Sequence, residues 1–102
     1  MEIKENIEQL MVNIEIISDM FYKQMNAEAF DKFNLILNEI ELVMNELNML
    51  QSQNISLDFD DKKINATLIE AMNAMENKDN ILLADILKYN LIENFKDIAN
   101  NL

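Results

Sequence analysis

Cysteine, histidine, arginine, glycine and proline are all absent from this chain of 102 residues. Without cysteine, neither a disulfide framework nor a thiolate zinc site can form. Without histidine, the chain lacks the commonest general base, the commonest metal ligand and the usual pH switch. The eight basic residues are all lysines, so the bidentate fork with which arginine binds carboxylates and phosphates is missing as well. These absences exclude the nucleophilic triads and the histidine-based metal sites.

The lack of glycine and proline also bears on the fold. Sheets, hairpins and phosphate loops depend on these residues for their turns, so their absence favours helices joined by short Asn/Asp turns. Half of the residues are apolar, which allows a chain of this length to bury a core without covalent cross-links. We therefore expect one helical domain over residues 1–102.

The formal charge of −11 opposes binding to nucleic acid and to anionic lipid surfaces, which both attract basic patches. The chain opens with charged residues instead of an apolar leader, and no apolar run is long enough to cross a bilayer. Its abundance of Ile, Asn and Lys is typical of translation from an AT-rich bacterial genome. We expect a cytoplasmic bacterial protein without a nucleic-acid or membrane partner.

Apolar residues recur at alternating intervals of three and four along the chain, which is the spacing of amphipathic helices and not of strands. The pattern predicts four helices over about residues 2–24, 27–50, 59–76 and 80–100. The predicted core positions of the first two are Ile3, Ile7, Leu10, Ile14, Ile17, Phe21, and Phe30, Phe33, Leu37, Ile40, Met44, Leu47, the first stripe being widened by Met11 and Met25 and the second by Ile36, Val43 and Leu50. Those of the last two are Ile64, Leu68, Ala71, Met72, Met75, and Ala84, Leu87, Leu91, Phe95, Ile98, Leu102.

Polar residues at the expected helix starts indicate N-caps. Asn26 is the predicted cap of the second helix, Ser56 or Asp58 that of the third, and Asp79 that of the fourth. The first and third connections are only a few residues long, which favours two helical hairpins. The predicted fold is therefore all-α, an antiparallel up-down-up-down four-helix bundle.

Clustered carboxylates are the residues that could support a metal site or acid–base chemistry. Glu39, Glu41 and Glu46 lie close in sequence, but helical rotation separates Glu39 from Glu41, and solvated helix faces explain them better. The stretch from Asp58 to Asp61 resembles the start of a calcium loop but lacks both its central glycine and its terminal glutamate. We assign no catalytic, cofactor-binding or metal-binding residue, and we expect folding to need no metal.

Large apolar residues also occur outside the predicted core stripes. Either they complete the wide stripes that a bundle needs, or they form an exposed strip for a partner helix or a second copy of the chain. Tyrosine is enriched where an apolar ring meets a partner while its hydroxyl keeps a polar contact. The hypothetical interaction residues are Met20, Tyr22, Leu82, Tyr89 and Ile92.

Residues 74–89 read AMENKDNILLADILKY. This stretch resembles the end of an uncharacterised family of small all-helical proteins from Gram-positive bacteria, in which a similar phrase follows two long amphipathic helices. That resemblance implies a helical fold and no particular activity. In size, acidity and methionine content the chain is also similar to flagellar export chaperones, which bind an amphipathic segment of their client; this second likeness is one of composition, not of a motif.

These features favour a non-catalytic helical interaction protein, either a homodimeric adaptor or an export-chaperone-like protein that holds an amphipathic client segment. The alternatives are an acidic mimic of nucleic acid and a carboxylate-based metal-binding protein or enzyme. An interaction protein needs a contiguous apolar groove, a mimic needs rows of negative charge on one face, and an enzyme needs carboxylates that converge in a cavity.

The excess of 19 acidic over 8 basic groups predicts that like-charge repulsion weakens the fold at pH 7 and low salt. We expect the melting temperature to rise between about 0.01 and 0.3 M salt, because the Debye length shrinks several-fold over that range. Thermal unfolding followed by circular dichroism measures this change. A melting temperature that is insensitive to salt would contradict the repulsion argument.

Overall fold

The computed structural model describes residues 2–53 and 60–102, with side chains from residue 3. Within these ranges the chain forms four helices and no strand, which confirms the predicted all-α four-helix bundle. Their bounds are α1, Glu2–Tyr22; α2, Asn26–Gln53; α3, Lys62–Glu76; and α4, which consists of the α-helical segments Asn80–Asp85 and Ile92–Asn100 on either side of a π-helical turn, Ile86–Leu91.

Helix α1 lies at the centre of the bundle. Its backbone approaches both α2 and α4 closely, while the closest neighbour of α3 is α4. The six predicted core positions of α1 are all buried: Ile3, Ile7, Leu10, Ile14, Ile17 and Phe21. A regular stripe of this kind buries one full face of a helix. Of the two residues predicted to widen it, Met11 is half-buried against the core, whereas Met25 lies beyond the end of α1 and is exposed.

Contacts between α1 and α2 run in opposite order along the two helices. Leu10 lies beside Val43 and Glu46, whereas Ile16 lies beside Lys32 and its neighbours in α2. That order is the one an antiparallel hairpin produces. The up-down-up-down order of all four helices stays a prediction.

The turn between α1 and α2 ends α1 at Tyr22, before the predicted end at residue 24. Gln24 has φ of 60°, and its N–H donates to the Phe21 carbonyl at 3.0 Å. The next N–H, of Met25, donates to the Met20 carbonyl at 2.9 Å. This pair of hydrogen bonds is the Schellman motif, which closes a helix with one left-handed residue.

The turn between α3 and α4 has the same construction. Lys78 has φ of 57°, and its N–H donates to the Met75 carbonyl at 3.1 Å, while the N–H of Asp79 donates to the Ala74 carbonyl at 2.9 Å. Glycine usually occupies the left-handed position because it has no Cβ to clash. Since the chain has no glycine, a glutamine and a lysine adopt this conformation instead.

One of the predicted N-caps is confirmed. The Asp79 carboxylate accepts the N–H of Leu82 at 3.0 Å. The prediction for Asn26 is wrong: this residue is already the first of α2, and its buried side-chain oxygen has no hydrogen-bond partner in the described part of the chain. Ser56 and Asp58 lie outside the described residues. At the start of α3, Asp60 accepts the N–H of Lys62 at 2.9 Å.

The buried stripe of α2 is rotated relative to the predicted one. Phe30, Leu37 and Met44 are only half-buried, whereas Ile36 and Val43, predicted to flank the stripe, are buried with Ala29, Phe33, Ile40 and Leu47. The reason is that α2 packs most closely on α1, and Ile36 and Val43 lie on the side that faces α1. Phe30 packs at the edge of the core, where its ring meets that of Phe21 edge-on at 4.9 Å between centroids.

Small residues replace the predicted large ones where α3 meets α4. Thr67 and Ala74 are buried, while Leu68, Met72 and Met75 are half-buried. The Asn94 side-chain amide donates to the Thr67 hydroxyl at 2.8 Å and joins the two helices. Leu102 is exposed and not in the core, because α4 ends at Asn100.

The π-helical turn in α4 follows from the spacing of its leucines. Leu83, Leu87, Leu91 and Phe95 are all buried at successive intervals of four. An α-helix advances about 40° beyond a full turn in four residues, so such a run would rotate out of the core. The wider π turn, in which the Ile92 N–H donates to the carbonyl of Leu87, five residues earlier, keeps the run on one face.

None of the helices in residues 2–53 and 60–102 is both long and apolar enough to cross a membrane.

We expect the substitution Lys78→Gly to raise the free energy of unfolding by up to about 1 kcal/mol, because it removes the left-handed strain while adding chain entropy to the unfolded state. The matched control is Lys32→Gly, an exposed residue in the interior of α2, which should lower that free energy by about 1 kcal/mol. Urea unfolding measures both variants. A loss of stability at Lys78 as large as that at Lys32 would contradict the argument.

Candidate interaction groove

An open groove of about 490 Å³ lies between the second half of α3 and the first half of α4. Residues three or four positions apart on α3 form one wall of the groove, and residues at similar intervals on α4 form the opposite wall. Its lining residues are Glu70, Asn73, Ala74 and Asn77 on one side and Leu82, Asp85, Ile86, Tyr89 and Asn90 on the other. The volume lies within the range of protein ligand sites.

Two of the hypothetical interaction residues meet in this groove. Leu82 is 46% exposed and Tyr89 is 62% exposed, and both line it. They lie seven residues apart across the π turn. Because the buried leucines of α4 face the opposite way, Leu82 and Tyr89 form an apolar edge open to solvent.

The other three residues have different positions. Met20 is only 8% exposed and belongs to the core, so its assignment to an open surface is wrong; it lies at the end of α1, where the carbonyl of its own backbone closes the turn with Met25. Ile92 and Tyr22 are half-buried and pack against the core. Neither lines the groove.

Tyr22 nevertheless contacts the groove from behind. Its hydroxyl donates a hydrogen bond to the carboxylate of Asp85, one of the groove residues. Nearby, the fully buried hydroxyl of Ser18 donates to the Ala84 carbonyl at 2.8 Å. These two bonds tie the end of α1 to the start of α4 and hold Asp85 in place beneath the groove.

Lys88 lies between the two tyrosines. Its Nζ is 5.8 Å from the centroid of the Tyr22 ring, 6.0 Å from that of Tyr89 and 3.8 Å from the Asp19 carboxylate. An ammonium at such distances is attracted by aromatic faces, weakly where water has access. Lys88 thus links Tyr22, inside the α1–α4 contact, to Tyr89, on the groove edge.

Burial raises the pKa of Tyr22 to about 12, and the hydrogen bond to the Asp85 carboxylate adds to the effect. Removing the phenolic proton would leave two negative charges facing each other in a poorly solvated place. Tyr22 therefore donates a hydrogen bond at physiological pH and offers no acid–base chemistry there.

Carboxylates do not converge anywhere in the described ranges 2–53 and 60–102: no three acidic side chains lie close enough together to hold a metal ion. Glu39, Glu41 and Glu46 are exposed, as the solvated-face interpretation expects. The groove itself has two carboxylates, Glu70 and Asp85, together with side-chain amides and apolar surface.

Sequence reasoning missed two sets of surface residues. Glu70, Asn73, Asn77 and Asn90 line the groove, and nothing in a sequence distinguishes them from other solvated side chains. Leu35 and Leu42 on α2 are exposed together with Met49. Here a signal existed, because the three recur every seven residues outside the core stripe.

In a Tyr89→Phe variant, Tyr22 is the only tyrosine left. We expect its phenol to ionise well above the ordinary value of about 10, because burial and the Asp85 carboxylate, the main causes of its raised pKa, both remain. Because the folded-state pKa is raised, the stability it contributes is complete below pH 10 and is lost as the pH rises toward 12. Phenolate absorbance against pH measures the ionisation, with circular dichroism to show that the helices persist. Adding Asp85→Asn should lower the midpoint, and a folded protein that titrates near the ordinary value would contradict this assignment.

This chain has a match among protein families. No curated protein and no solved structure matches it significantly. The model of one family, described as "Domain of unknown function (DUF8042)", matches residues 1–101. This match includes the stretch 74–89 and agrees with the resemblance to an uncharacterised family, whose Gram-positive origin stays a prediction. The chain therefore belongs to the DUF8042 family.

Proposed function

We propose that this chain is a non-catalytic interaction protein that holds an amphipathic helical segment of a partner protein in the groove between α3 and α4. The observation that carries the proposal is the meeting of exposed Leu82 and Tyr89 in one groove with the apolar Ala74 and Ile86. A helix laid in such a groove buries its own apolar face, with anchors at successive turns. Asn73, Asn77 and Asn90 supply the polar rim that gives such contacts their orientation.

The charge around the groove indicates the kind of segment. Glu70 and Asp85 line it, no lysine does within the described residues, and the whole chain carries −11. A negative surface steers cations toward it and disfavours acidic partners. The proposed occupant is therefore a helix with apolar residues on one face and lysine or arginine beside them.

The exposed side chains are large enough to support binding. Burying one leucine or aromatic side chain stabilises by roughly 1.5–3 kcal/mol, and tyrosine is a common anchor of protein interfaces. The Lys88 ammonium also lies 6.0 Å from the centroid of the Tyr89 ring, an attraction that grows when a partner excludes water from the ring. These features favour an anchor role for Tyr89.

The absence of catalysis, the cytoplasmic location and the bacterial source belong to the same proposal. The chain has no histidine or cysteine, and the groove has no group placed to activate a nucleophile. An export-chaperone-like role is the form of the function that suits a small acidic helical protein with a groove of this kind. A nucleic-acid mimic needs regular rows of negative charge. Among the described residues, the charged ones that line this groove are only Glu70 and Asp85, which form no such row.

The test uses a synthetic helical peptide with leucines on one face and lysines on the other. We expect it to bind and to shift the amide NMR signals of α3 and α4 around Leu82 and Tyr89. A peptide in which glutamates replace the lysines should bind more weakly. So should a peptide of the same composition whose leucines are spread around the helix, because it presents no apolar face.

The matched variants separate the groove from other exposed leucines. The double substitution Leu82→Ser, Tyr89→Ser should weaken peptide binding roughly tenfold or more, as the loss of interface anchors does. The control, Leu35→Ser with Leu42→Ser, removes exposed apolar side chains on α2 and should leave the affinity unchanged. If both double variants bind equally well, or the shifts fall on α2, the groove is not the binding site.

A further inference from the structure

A second apolar surface lies on α2, outside the core and beside the clefts between α1 and α2 that Leu35 and Leu42 help to line. Leu35, Leu42 and Met49 are 66%, 64% and 62% exposed and recur every seven residues. The exposed Asn38 and Asn45 alternate with them, so that intervals of three and four follow each other along the helix. We call these five residues the outer seam.

The outer seam is separate from the stripe that holds α2 in the bundle. Phe33, Ile40 and Leu47 repeat at the same interval of seven but are buried against the rest of the chain. Each of them lies two positions before a member of the outer seam, a rotation of about 200° around the helix. Helix α2 therefore has a second heptad pattern that nothing in the described chain covers, as in a helix that pairs with another helix.

We propose that the outer seam binds the outer seam of a second copy of this chain, with the two α2 helices antiparallel. An interface around a two-fold axis brings the same surface of both copies together. With the axis near residues 38 and 39, Leu35 of each copy lies beside Leu42 of the other. This proposal concerns a different face from the groove and does not depend on the proposed function.

Charge selects this register. Lys32 and Glu46 flank the outer seam on one side, and the axis near residue 39 places Lys32 of each copy within reach of Glu46 of the other. Neither has an ion-pair partner among the described residues. If the axis were shifted by half a heptad, to residues 42 and 43, Glu39 of each copy would instead lie opposite Glu46 of the other copy. Like charges so placed destabilise helix pairs.

The other flank of the outer seam is poor in charge. Asn34 and Asn48 lie there, with Glu41 between them. In a chain of net charge −11, a weakly charged surface is where a second copy meets the least repulsion. Asn38 and Asn45 within the seam can hydrogen-bond across it, the usual way in which polar seam residues specify one register.

The decisive experiment mixes two single variants, Lys32→Glu and Glu46→Lys. Alone, each variant opposes like charges at both ends of the interface, so its dimer should dissociate several-fold more readily than that of the parent. Mixed, the two chains restore attraction at both ends, and a heterodimer should form in preference to either homodimer. Sedimentation equilibrium measures the mass against that of the 11.9 kDa chain, and circular dichroism checks that each variant folds.

Lys96→Glu mixed with Glu93→Lys is the control, because these exposed residues of α4 change the net charge by the same amounts. This control mixture should dimerise no better than the parent. Added salt should strengthen the parent dimer by screening repulsion, whereas it should weaken cationic peptide binding in the groove. Glu39→Gln should also strengthen the dimer, since the two Glu39 carboxylates lie near the axis.

Four results would overturn the proposal. The first is a parent that stays monomeric at high protein concentration and high salt. The second is a dimer that Leu35→Ser with Leu42→Ser leaves intact, which would place the interface elsewhere. The third is a Glu46→Lys homodimer stronger than the parent, which would show the register that opposes Glu39 to Glu46. Peptide binding at the outer seam in place of dimerisation would equally count against it.

Discussion

The close contact between α1 and α4 is the interaction on which the other parts of the structure depend. Ser18 and Ala84, both fully buried, allow the two helices to approach, and the Ser18 hydroxyl satisfies the carbonyl it meets. Helix α1 also holds α2, while α3 reaches the bundle mainly through α4. Small residues at one crossing therefore decide where both hairpins lie, because a larger side chain there would separate the helices and open the core.

The π turn connects this core to the surface groove. Its extra residue keeps Leu83, Leu87, Leu91 and Phe95 on the inner face of α4. Tyr89 lies within this turn, two residues from both Leu87 and Leu91, and is therefore on the opposite, exposed side of the helix. Local departures of this kind are common at functional sites.

The strong negative charge acts in opposite ways on the two proposed surfaces. It favours a cationic helix at the groove, where Glu70 and Asp85 have no lysine between them. It repels a second copy of the chain over the whole surface, and this repulsion is weakest beside the asparagines of the outer seam. The two surfaces lie on different helices, so one chain could bind a client and a second copy together. Salt has opposite effects on the two events, since attraction and repulsion are both screened.

Composition and periodicity were enough to predict the helical class, the four helices, the core of α1 and the cap at Asp79, because each depends on a few neighbouring residues and on the helical repeat. The rotation of the α2 stripe, the burial of Met20 and the π turn were decided by tertiary packing. A side chain at the margin of a stripe is buried only if a neighbouring helix covers that side. Leu82 and Tyr89 were identified from the sequence, yet the asparagines opposite them were not, since a groove between two helices exists only once both are in place. Local spacing therefore decides which residues can be buried, and the direction of the neighbouring helix decides which of them are.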